Sequence, residues 1–69
     1  MELSTRNQLP SKVKSVRLGS VMAEIVLELE GGQEIVAAIT RSSAERLNLK
    51  DGDSVYALVK ATEVMIGRD

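Results

Sequence analysis

The chain has 69 residues, a formal net charge of −1, no cysteine, no histidine and one aromatic residue, Tyr56. A domain of this size buries only about 60% of the surface its unfolded chain would expose. Without thiols or imidazoles, neither a disulfide framework nor a soft-ligand zinc or iron–sulfur site can reinforce it, so association with other chains is the remaining route to stability.

The N-terminus, Met1-Glu2-Leu3-Ser4-Thr5-Arg6, lacks the apolar core of a secretory signal. No apolar run reaches the ~20 residues of a membrane span, and a cytoplasmic protein is expected. The near-zero net charge provides no long-range field for nucleic acid or an anionic membrane surface, so any anion site has to be built locally.

Ser11 to Leu18 mixes Val13, Val16 and Leu18 with Lys12, Lys14 and Arg17, which reads as an exposed basic strand. Val13 and Val16 are three apart rather than two, so strict alternation fails and the spacing predicts a β-bulge. Gly19-Ser20 marks a turn. From Met22 to Glu30 the alternation is clean, with Ala23, Ile25, Leu27 and Leu29 on one face. Gly31-Gly32 then suits a tight hairpin, with Gln33 to Thr40 as the returning strand.

Thr40 to Leu47 breaks the two-residue period and carries helix-start chemistry. Either Thr40 or Ser42 can cap, and Glu45 three residues after Ser42 completes a possible capping box. The helix is expected to end near Asn48, and Lys50-Asp51-Gly52-Asp53 reads as a turn. Ser54 to Ile66 is long enough for two strands or one strand with a kink, with Thr62, Val64 and Ile66 continuing the alternation. The expectation is an all-β fold over a single domain, residues 1–69: a small five-stranded OB-like barrel with one short helix between strands three and four.

In Glu34 to Ile39 and Tyr56 to Val59 both alternating faces are apolar. A barrel with one interior uses only one of them, so the second face calls for another cover.

Several stretches, in order over essentially the whole chain, closely resemble the molbindins, single-module proteins of the Mop/TOBE superfamily. They are Ser4-Thr5-Arg6-Asn7-Gln8-Leu9, Gly19-Ser20-Val21-Met22-Ala23-Glu24, Ile39-Thr40-Arg41-Ser42-Ser43, Leu47-Asn48-Leu49-Lys50-Asp51-Gly52-Asp53 and Val59-Lys60-Ala61-Thr62-Glu63-Val64-Met65. The resemblance implies an OB-like fold, subunits paired through N-terminal strands, and three such pairs in a homohexamer. It further implies molybdate or tungstate held as the free oxyanion at subunit interfaces. Carried over, Ser4 and Arg6 of one chain would meet Thr40, Ser43, Lys60 and Ala61 of another. Some relatives carry serine where this chain has Ala61, which keeps only its backbone N–H as a donor.

The chemistry of these residues is consistent with such a ligand. A divalent oxyanion needs positive charge and many donors but no acceptors. Arg6 offers a fork of N–H groups, Lys60 a compact charge, and Ser4, Thr40 and Ser43 a hydroxyl proton each. It is poor catalytic chemistry: no histidine or cysteine is present, and the acids are scattered over turns and strand faces, so no enzyme is expected. Each residue also has a plain structural role. Thr40 and Ser43 serve as helix caps, Lys60 as a solvated edge charge, and Arg6 as part of a frayed terminus.

Two other functions compete. OB-folds commonly bind nucleic acid, but such surfaces stack bases on aromatic side chains, and Tyr56 is alone here. The same module also senses molybdate inside transporter ATPases and transcription factors, yet no nucleotide-binding motif or helix-turn-helix is visible. A bound pterin is not expected either, since pterin rings are usually held by stacking.

Overall fold

A computed structural model describes all residues 1–69. The elements run β1 (Asn7–Leu18), β2 (Met22–Leu29), β3 (Glu34–Thr40), α1 (Arg41–Arg46), β4 (Ser54–Val59) and a 3-10 turn at Ala61–Glu63. The strands make one antiparallel sheet in the order β3-β2-β1-β4. No helix is long and apolar enough to cross a membrane.

β1 organises the sheet because it serves two partners. Its first half pairs with β4, from Asn7↔Val59 to Lys12↔Ser54, and its second half pairs with β2, from Ser11↔Leu29 to Leu18↔Ala23. Sheet twist accumulates along such a shared strand, and the four strands curl into a half-barrel. The strand begins at Asn7 rather than at Ser11. Pro10, which has no N–H to give, is tolerated because it precedes the pairing with β2 and faces a single neighbour, Tyr56 on β4.

The bulge expected from the valine spacing lies between Val13 and Ser15, where the register on β2 shifts. Lys14 is the extra residue. Its insertion lets Val13 and Val16 both turn inward, Val13 into the core and Val16 against it. Lys14 points outward and forms an ion pair with Glu34 of β3, with Glu28 4.0 Å away.

Val13 joins Ala23, Ile25, Leu27, Ala44 and Ala57 in the core. These follow the alternation of β2 and add one residue each from α1 and β4. The core is small: only 7 of 69 residues are buried, so little of the chain is shielded from water. The second apolar face anticipated on β3 and β4 is open, with Val36, Tyr56 and Leu58 all exposed.

Gly32 takes a φ of 89° in the β2–β3 hairpin, and Gly52 takes 90° in the turn before β4, a region L side chains rarely occupy. The second turn is stitched to the bulge, because Gly52 N–H donates to Val13 O at 2.7 Å and Val13 N–H to Asp53 O at 2.9 Å.

The C-terminal stretch differs from expectation in that no fifth strand forms. After β4 the chain folds into the 3-10 turn, closed by Glu63 N–H on Lys60 O at 2.9 Å, and Val64 to Asp69 has no regular structure. Alternation in Thr62, Val64 and Ile66 marks an apolar stripe but does not supply a partner edge. The turn carries the tail away from the sheet, so the outer edge of β4 stays unpaired and Met65 and Ile66 are exposed. Of the two caps the sequence allows, Thr40 is the one used, and the possible capping box does not form, since Glu45 faces Arg41 at 3.6 Å.

Candidate functional site

The six candidate residues fall into two groups. The first lies where β3 runs into α1. Thr40 has extended backbone and its Oγ1 accepts the Ser43 N–H at 3.1 Å, the standard way a hydroxyl caps a helix. The same hydroxyl donates to Ser43 Oγ at 2.8 Å and lies 3.3 Å from Ser42 Oγ. Arg46, one turn on, donates through Nη2 to Ser43 Oγ at 3.3 Å. Arg41 is held differently, giving Nη1 to Gly19 O at 3.2 Å and its N–H to Val21 O. The result is a cluster of three hydroxyls with two guanidinium groups beside it.

The second group lies at the opposite end of β1. Asn7 and Val59 form the terminal pair of the β1–β4 ladder, so Ser4 and Arg6 on one side and Lys60 and Ala61 on the other continue just beyond it. Two side chains, Thr5 and Asn7, donate to the Val59 carbonyl, each at 3.0 Å. Gln8 Nε2 donates back to Thr5 O at 2.8 Å, and Gln8 N–H to Arg6 O at 3.1 Å. Lys60 sits at the start of the 3-10 turn with no side-chain cap, and Ala61 opens the turn, where the first N–H groups find no partner inside the turn itself.

Charge accounting separates spent from unspent cations. Lys14 is committed to Glu34; the hydrogen bond and then the charge of Glu34 push its ammonium above the ordinary lysine range. Arg41 and Arg46 have partners on or beside α1. Arg6 and Lys60 enter no ion pair, and neither do Lys12, Arg17, Lys50 and Arg68, but only Arg6 and Lys60 flank the same terminal pair of the ladder. Ser4, Arg6, Lys60 and Ala61 are all exposed.

No hydrogen bond or ion pair connects the two groups. Thr40 is registered with Met22, next to the Leu18 end of β1, whereas Arg6 and Lys60 lie beyond its Asn7 end. Within one chain each group is open on one side and neither encloses a tetrahedral ion. A concavity of about 450 Å³ on the sheet involves neither group. It is flanked by Lys12, Glu28, Glu30 and Tyr56, and two carboxylates are the wrong lining for a dianion. No cluster of three or more His, Cys, Asp or Glu residues could hold a metal ion.

Reading the sequence missed Thr5, Asn7 and Arg46. A polar residue at a strand start looks like ordinary surface, and nothing in the spacing of Thr5 and Asn7 announces a shared acceptor fifty residues on. The Arg46–Ser43 spacing of three is a helical neighbour relation and was legible once the helix was placed.

Comparison with known proteins agrees with this architecture. Residues 3–66 match the TOBE domain. "Molybdenum-pterin-binding protein 2" of Clostridium pasteurianum is 47% identical over 66 residues, spanning 96% of this chain and 97% of that protein. The structure of a molybdate-binding protein from Sporomusa ovata superposes with a TM-score of 0.92 at 48% identity, covering 99% of this chain and all of that one. That of the cytoplasmic molybdate-binding protein ModG, with molybdate bound, gives 0.83 at 43% identity over 88% of this chain and 43% of its own length. With one family model spanning nearly the whole sequence and near-half identity to full-length relatives, the chain belongs to the TOBE family and, within it, to the molbindin (Mop) proteins.

Proposed function

We propose that the protein binds molybdate or tungstate as the free oxyanion, at sites formed between chains of a homo-oligomer, and serves as an intracellular store or buffer for it. The observation that carries this reading is the juxtaposition of Arg6 and Lys60, two exposed cations outside any ion pair, at the end of the β1–β4 ladder. Relatives known as molybdate-binding proteins share the fold at near-half identity. Ser4 and Arg6 of one chain act with Thr40, Ser43, Lys60 and Ala61 of neighbouring chains; because Thr40 and Ser43 lie at the opposite end of β1 from Lys60 and Ala61, the two groups reach an anion from different copies. Sharing is supported by the openness of each group in the single chain, and association by the small core and the uncovered Val36, Tyr56 and Leu58. A hexamer built as a trimer of pairs is the assembly we assign.

The role is binding rather than catalysis: donors and fixed positive charge suit a permanently ionised guest, and no proton-transfer pair is present. The relatives' name raises a second reading, molybdenum held through a pterin. Tyr56 is the one aromatic side chain available to stack on such a ring, and it lies on β4 beside Pro10, away from the hydroxyl cluster. Free oxyanion therefore remains the preferred ligand.

Calorimetric titration with molybdate and tungstate in the presence of excess sulfate tests the proposal, alongside mass spectrometry of the intact assembly. Saturable binding of molybdate that sulfate does not displace, with a fixed anion count per oligomer, is expected. Equal competition by sulfate would leave a generic anion site, and binding that requires added pterin would transfer the function to the second reading.

A further inference from the structure

Thr5 and Asn7 carry no charge and were not among the expected ligands, yet both aim at one backbone atom. A carbonyl oxygen has two lone pairs, and Val59 O accepts Thr5 Oγ1 and Asn7 Nδ2 at 3.0 Å each. The acceptor is remote in sequence, so the two bonds fasten the start of the chain to the end of β4. Gln8 reinforces the join by returning its Nε2 to Thr5 O at 2.8 Å. In the next peptide, Lys60 O accepts Glu63 N–H at 2.9 Å, so the peptides on both flanks of Lys60 are held. Terminal segments are ordinarily mobile, and a mobile ligand gives up part of its interaction energy when it is ordered on binding.

We infer that Thr5 and Asn7 form a clasp on the Val59 carbonyl that holds Ser4 and Arg6 in place before the anion arrives. They are positioning residues for the oxyanion site, which makes this inference rest on the function proposed above. The clasp acts on the segment's own chain. It therefore works whichever neighbour supplies the remaining ligands.

The test compares four full-length chains, Thr5→Val/Asn7→Leu, Thr5→Val, Thr5→Ser and Arg6→Ala, by calorimetry with molybdate, by melting without anion, and by sedimentation. The double variant is expected to bind molybdate about tenfold or more weakly, since pre-ordering sets part of the affinity. Its anion-free melting temperature and subunit number should match the parent. Thr5→Ser keeps the donor and should keep affinity within about twofold, with Thr5→Val falling in between. Trypsin should also cut after Arg6 faster in the anion-free double variant than in the parent, with other sites unchanged. Parental affinity in the double variant, with Arg6→Ala weakened, overturns the clasp while leaving the anion site standing. Parental affinity in Arg6→Ala as well overturns the site and the clasp together. Weak binding accompanied by a matching loss of melting temperature or of assembly, and shared by Thr5→Ser, overturns the clasp in favour of a general structural role. If the double variant does not fold, the contrast between Thr5→Val and Thr5→Ser decides in the same way.

Discussion

Thr40 and Ser43 are bonded to each other twice: Thr40 Oγ1 accepts the Ser43 N–H at 3.1 Å and donates its own proton to Ser43 Oγ at 2.8 Å. The single hydroxyl proton of Thr40 is thereby spent. Ser43 Oγ accepts from Thr40 and from Arg46, which leaves the Ser43 proton free to point at an outside acceptor. Two hydroxyls that look equivalent in the sequence therefore differ in the fold, the proton of one committed and that of the other free.

Ser43→Ala is accordingly expected to weaken molybdate binding with little effect on anion-free stability, because alanine suits the helix and the Thr40 cap remains. A hydrogen bond to a charged group is worth about 1.5–3 kcal/mol, or roughly 10- to 150-fold in affinity. Thr40→Val should weaken binding too, through the lost orientation of Ser43, but it also removes the cap. That costs about 1 kcal/mol and shifts melting by about 4–8 °C in a domain of this size. Paired calorimetry and thermal denaturation separate the two. If Thr40→Val left melting unchanged, or Ser43→Ala left affinity unchanged, the division of roles would be wrong.

The core allows a second comparison. Ile25 is 2% exposed, and Ile25→Ala should destabilise by about 2–5 kcal/mol, a large share of what a small domain possesses. Melting should fall at every protein concentration. Val36 is 60% exposed on the open face of β3, so Val36→Asp should act through association instead. Its deficit should shrink as protein concentration rises. A concentration-independent loss in Val36→Asp would count against association through this face.

The contrast between those two residues shows what the sequence revealed. Ile25 sits in a clean alternation whose inward face is the core, and β2, its hairpin and the bulge after Val13 followed from spacing alone. Val64 and Ile66 continue the same kind of alternation yet form no strand, since periodicity reports a wish for burial and not the edge that would satisfy it. In the site, residue chemistry and resemblance pointed to Arg6 and Lys60. The clasp was not visible, because it joins side chains to a backbone carbonyl, and carbonyls carry no sequence signal.

Lys14 provides a prediction with a definite sign. Glu34 raises its pKa, so the contribution of the pair to stability is fully present below the ordinary lysine pKa and is lost as the solution is made alkaline through the raised value. Around neutral pH, where Lys14 is protonated in the folded and the unfolded chain alike, it should add no slope. Both side chains are substantially solvated, so the effect is small and weaker at high salt. Denaturation of the parent and of Lys14→Met should differ most at low ionic strength and converge at strongly alkaline pH. A difference that widens there would reverse the assignment.

The last prediction concerns ownership of the site, and the register makes it a sharp one. Arg6 and Lys60 lie just past the same terminal pair, Asn7↔Val59, within one chain, so either could serve an anion together with the other or with a neighbour's copy. Arg6→Ala and Lys60→Ala should each weaken molybdate binding by the roughly 10- to 150-fold expected of a lost charge-assisted bond. Weakening alone does not reveal which chain supplies which residue. The two variants should therefore be unfolded together, refolded as a mixture and titrated, with subunit exchange shown by mass spectrometry. Where Arg6 comes from one chain and Lys60 from its partner, a mixed pair holds one site lacking both cations and one with both intact. Part of the tight binding then returns, although neither parent has it. Where both come from a single chain, every site carries one lesion however the chains combine, and the mixture binds no better than its parents. We expect recovery; its absence despite exchange would confine both cations to one chain and rule out the shared site.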